Sequence, residues 1–125
     1  REVDVTVEER SFAPPARAIE ISETEPATGT LFLRLAAGWD EPPHPTPRAQ
    51  VLVCLRGRIA VTASNGELRE IGPGDVWRME DTHGKGHHTR VLGDTAMECV
   101  IVQLPRRRET KKGRCGRPFV IAVRR

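Results

Sequence analysis

Apolar residues in this chain recur at every second position rather than every third or fourth. Val5 and Val7 alternate with polar neighbours, as do Ile19 and Ile21, and Leu31, Leu33 and Leu35. Period-2 alternation marks strands that bury one face. It predicts strands over 4–8, 17–22, 30–35, 50–55, 58–63, 67–71, 75–79, 88–92 and 96–104. Asn65-Gly66 lies between two of these runs and predicts a two-residue hairpin turn, because both residue types tolerate positive φ. Turn residues punctuate the chain at short intervals, and no stretch keeps a 3.6-residue apolar period. The pattern predicts an all-β barrel or sandwich.

Two segments break the alternation. Residues 39–48 hold Pro42, Pro43, Pro45 and Pro47, so this stretch cannot pair as a central strand. Proline fixes φ and stiffens a segment that also carries His44. Residues 80–86 end in Gly84-Lys85-Gly86, which allows a sharp bend before His87 and His88. Pro105 closes the last strand and divides a body, 1–105, from a tail, 106–125. Within the tail, the apolar run from Phe119 to Val123 is expected to form a short extra strand that pairs with the body or with another subunit.

Composition fits one domain of 125 residues. Charged residues make up 30%, and aromatics only 4%, so the core is aliphatic. No apolar run approaches the roughly 20 residues that cross a bilayer, and the charged start shows no signal peptide. Three cysteines without tight spacing argue against a disulfide framework and for a reducing, cytoplasmic compartment. Cys54 and Cys99 sit in apolar runs and are expected to be buried thiols, whereas Cys115 is expected to be exposed. Nine Lys or Arg against one Glu give the tail a charge of +8, which leaves −5 for the rest of a +3 chain. The tail lacks any nucleic-acid module, so it reads as solvated, with a phosphate contact as the rival.

The spacing Gly38–His44–Gln50–Gly57 resembles the first cupin motif. Gly72-Pro73-Gly74-Asp75 with Gly84-Lys85-Gly86-His87 resembles the second, and 80–91 is similar to a subgroup of small single-domain bacterial cupins. The resemblance covers 31–104 and implies a small antiparallel jelly-roll barrel, here with a basic C-terminal extension. It implies metal ligands at four positions, which are occupied by His44, Thr46, Gln50 and His87. A threonine therefore stands at a histidine position and a glutamine at the glutamate position. The resemblance also implies a homodimer formed by exchange of edge strands.

Divalent Fe, Mn, Ni or Zn favours imidazole and carboxylate donors. His44 and His87 are two good donors, and Gln50 adds no charge. The expected cofactor is therefore one weakly held divalent metal, or none. His83, Asp81 and Glu80 in the second loop, or Asp40 and Glu41 in the first, are the side chains that can compensate. Without metal, His44 and His87 remain an acid/base pair, suited to an isomerase, lyase or cyclase acting on a small organic or carbohydrate-like molecule. A non-catalytic binder or sensor and a metal-dependent dioxygenase remain open beside it. Arg48 and Arg90 are weaker candidates for a substrate carboxylate, with surface arginine the competing reading. Trp39 and Trp77 are candidates for pocket walls or for the core. His83 and His88 read as solvated loop residues.

Overall fold

A computed structural model describes residues 5–80 and 86–105, with His44 described by its backbone alone. The expected C-terminal strand, Cys115 and His83 lie outside the described residues. Ten strands and no helix occur among those described. They are β1 Glu8–Arg10, β2 Ile19–Ile21, β3 Gly29–Leu35, β4 Asp40–His44 and β5 Gln50–Arg56, then β6 Arg58–Ala63, β7 Leu68–Ile71, β8 Val76–Met79, β9 His87–Leu92 and β10 Met97–Gln103. No helix long and apolar enough to cross a membrane is found among them.

Two four-stranded antiparallel sheets face each other, ordered β3-β10-β5-β8 and β4-β9-β6-β7. Strands neighbouring in sequence repeatedly fall in opposite sheets, which is the jelly-roll path. The inward positions of each strand meet between the sheets. Leu52 and Cys54 of β5, Ile59 and Val61 of β6, Trp77 of β8, Val91 of β9, and Met97, Cys99 and Ile101 of β10 form one buried cluster. Burying each such aliphatic side chain stabilises the fold by about 1.5–3 kcal/mol.

The turn at Gly72-Pro73-Gly74-Asp75 carries the chain from one sheet to the other. Gly72 N donates to Asp75 Oδ2 at 2.9 Å, and Gly74 N donates to Cys54 O at 2.9 Å, which ties the turn to β5. At the β5–β6 connection, which passes from one sheet to the other, Gly57 has φ +80°, and a Cβ there would lie 2.4 Å from Ala96 O. Only glycine fits this approach.

Three local expectations change. The hairpin at Asn65-Gly66 is a three-residue loop: only Gly66 has positive φ, and Gly66 N bonds Ala63 O at 2.9 Å. Asn65 instead accepts from Glu67 N through Oδ1 at 2.9 Å, an Asx contact that holds the turn with φ negative. The proline segment is partly a strand. β4 pairs β9 at the sheet edge, with an irregularity between Glu41 and His44. Pro42 and Pro43 fall within that irregularity, where missing N–H groups cost no ladder bond. Finally, the first strand begins at Glu8, later than the alternation of Val5 and Val7 suggests, and pairs only with β2.

Candidate functional site

β9 carries the chemistry, because its alternation sends His87, Thr89 and Val91 inward and His88 and Arg90 outward. His87 is 3% exposed, while His88 is half-buried. His87 packs edge-on against Trp77, with ring centroids 4.9 Å apart and planes at 75°. Trp77 is itself 1% exposed and in register with Leu52. The indole thus closes the floor beneath the imidazole and limits its rotation.

Backbone pairing places His44 directly opposite His87, on the edge strand. Glu41 lies opposite Thr89 in the same pairing. Gln50 begins β5 in the facing sheet, opposite Met79 and Gln103. Its Nε2 donates to Met79 Sδ at 3.5 Å, a weak bond to a soft acceptor. Thr46, between β4 and β5, is 1% exposed. The fold thus places His44 and His87 on adjacent strands, with Gln50 at the start of a strand in the opposite sheet and Thr46 on the connection.

Several other candidates are directed elsewhere. His88 is a strand residue, not a solvated loop residue, and its Nε2 lies 2.6 Å from Asp40 Oδ1. That contact joins β9 to β4 on the outer surface. Glu80 is bonded to Arg78 at 2.9 Å. Arg48 spans the entry to β3 and the exit from β10: Nη2 donates to Thr28 Oγ1 at 3.1 Å and to Leu104 O at 3.0 Å. Arg90 is exposed on the outer face, in register with Asp40 and Ala60. Asp81 lies outside the described residues. Met79 and Thr89 were missed by the sequence reading, since a strand methionine or threonine carries no signal of its own. Alternation from Gln50 and His87 is the pattern that finds them.

Two of the four positions that the resemblance gives to metal ligands carry neutral groups. Thr46 is a neutral hydroxyl, and Gln50 is a neutral amide turned toward a thioether. No group of three His, Cys, Asp or Glu side chains suited to a metal occurs among the described residues. Burial pushes the Cys99 thiol up to about 11 and raises Cys54 as well, so both are inert core thiols rather than nucleophiles. A groove of about 370 Å³ is lined by Phe32, Leu33, Arg34, Leu55, Glu98 and Cys99. It adjoins the register shift between β10 and β5, and Thr46, Gln50 and His87 are not among its lining residues.

No curated protein matches the chain. Among solved structures, ToxT from Vibrio cholerae aligns with TM-score 0.52 and 10% identity over 64% of this chain and 31% of ToxT. ToxT bound to (E)-4-(8-methylnaphthalen-1-yl)but-3-enoic acid aligns equally well. The chain thus spans about a third of ToxT. A Cupin 2 conserved barrel protein from Salinispora arenicola aligns with TM-score 0.50 and 15% identity, over 81% of this chain and 76% of that one. At such identities these likenesses establish the fold alone. The cupin domain model matches residues 31–103, more than half of the chain. That match spans both four-stranded sheets and the His44–His87 pairing, and with it the chain belongs to the cupin family.

Proposed function

We propose that this cupin takes up a small polar organic molecule at the mouth and exchanges protons with it through His44 and His87, without a tightly bound metal. The reaction class is isomerisation, elimination or cyclisation, in which one imidazole withdraws a proton and the other returns one. His87 carries the reading. It is a buried, inward imidazole held edge-on by Trp77, in register opposite a second histidine. Imidazole changes charge near neutral pH, so a pair can hold the acid and the base together. Thr46 and Gln50 supply neutral hydrogen-bonding groups that orient a ligand without demanding a cation.

The same neutral set favours a second reading, capture of the ligand without turnover. Native mass spectrometry of freshly purified protein, followed by denaturation, identifies a retained small molecule. That molecule is then returned to the protein in D2O. Deuterium entering its carbon framework, and lost in His87→Ala, supports proton transfer. Retention with no deuterium entry in the wild type rejects the enzyme and leaves the binder. A metal held stoichiometrically after dialysis, and lost in His87→Ala, overturns the metal-independent part.

A further inference from the structure

β5 carries one residue more than β10 where the two strands lose register. Cys54 pairs with Cys99 and Arg56 with Glu98, so Leu55 is the extra residue. Such a bulge bends its strand and re-aims the side chain that has no opposite number. Leu55 is 51% exposed, and Arg56 beside it is exposed as well. Phe32, on β3, is 81% exposed. Single exposed apolar side chains are ordinary on a protein surface. Here, however, Phe32 and Leu55 line one groove of about 370 Å³.

The charge along this groove is unbalanced. Met97 and Cys99 are buried in the core, so alternation turns Glu98 to the outer face. In register, Glu98 stands between Arg34 on β3 and Arg56 on β5. One carboxylate thus serves two guanidinium groups. Arg34 donates to Glu98 Oε2 through Nε at 2.8 Å. Its two terminal nitrogens make no hydrogen bond among the described residues, and the Arg56 side chain makes none either. An apolar wall therefore adjoins one positive charge in excess, with unused donors.

We propose that this groove binds a small organic acid with an apolar body, its carboxylate on Arg34 and its hydrocarbon against Phe32 and Leu55. The planar guanidinium fork matches a carboxylate and stays charged at physiological pH. Arg56 adds to the attraction, and Glu98 both fixes the fork through Nε and moderates the positive field. The volume is at the lower end of small-molecule sites, which run from about 300 to 1,000 Å³. That size suits a short chain or a single ring. The site stands apart from the proton transfer proposed for His44 and His87 and does not depend on it.

Amide NMR of the isotopically labelled full chain tests this, with sodium octanoate as the probe. Octanoate up to about 2 mM, a range that reads millimolar dissociation constants, is expected to shift 32–34, 54–56 and 97–99 saturably. Octanol at equal concentration leaves them unshifted. Arg34→Gln weakens octanoate by about tenfold, whereas Glu98→Gln, which removes the like charge, tightens it by about two- to fivefold. No saturable shift, equal binding of octanol, or indifference to Arg34→Gln overturns the proposal. Shifts centred on 87–89 place the acid at the mouth and overturn it too. Binding that appears only after 106–125 is removed assigns the groove to the C-terminal segment, with the same consequence.

Discussion

At position 50 a single functional group sets the character of the mouth. The Gln50 amide is neutral and donates to Met79 Sδ. Gln50→Glu places a carboxylate at the position where the family resemblance puts a third ligand with His44 and His87, a donor set that transition metals favour. Isothermal titration with Zn or Ni is expected to show at least a tenfold gain in affinity, about 1.4 kcal/mol, over the wild type. An unchanged isotherm would mean that the position 50 side chain and the two imidazoles do not converge. A second residue-scale effect concerns pH. Burial raises the Cys99 thiol to about 11, above the roughly 8.5 of a free cysteine. The unfolded chain therefore releases this proton first as pH rises. The stability linked to Cys99 is fully present below about pH 8.5 and is lost as pH rises toward 11. Melting temperatures should fall over that range in the wild type and fall less steeply in Cys99→Ala.

The strands themselves rest on a few backbone constraints. Gly57 joins β5 to β6 at φ +80° with Ala96 O close by. Gly57→Ala is expected to cost about 2–4 kcal/mol, through left-handed strain and the displaced β10 entry. Urea denaturation measures it directly, and a loss under about 1 kcal/mol would contradict the close approach. Most of this architecture was legible beforehand, because burial on one face forces alternation and the Gly72–Asp75 corner has a recognisable turn chemistry. The strand from Arg58 to Ala63 was read to the residue. β4 was not, since prolines hide an edge strand whose ladder is interrupted where they sit. Asn65 was assigned a turn for the wrong reason, because its side chain rather than its φ does the work. At the site, the sequence could mark His44, Gln50 and His87 but could not show that Arg48 is spent on Leu104 and Thr28. Such pairings join residues that are distant along the chain and become adjacent only when the sheets close.

Across the whole molecule, that arginine ties together segments distant along the chain. Arg48 fastens the start of β3 to the end of β10, where Thr28 N also donates to Gln103 O at 2.9 Å and Leu104 N to Ala49 O at 3.0 Å. Arg48→Met keeps the aliphatic stem and leaves Leu104 O short of a donor. The expected loss is about 1–3 kcal/mol, with hydrogen exchange accelerating at 28–30 and 102–104 ahead of the β5–β8 core. Uniform acceleration through the barrel would show that the clasp is not a local one. Trp77 has a different reach. It is a core residue, 1% exposed, and it also touches His87 at the mouth. Its indole emission therefore reports folding and, under the proposed function, ligand capture through one chromophore, with Trp39→Phe removing the other indole. Occupancy and resistance to heat are then two readings of the same equilibrium: a ligand at about 100 times its dissociation constant adds roughly 2.7 kcal/mol to the barrel. A library of unlabelled metabolites can be sorted by how far each shifts the temperature at which that emission changes.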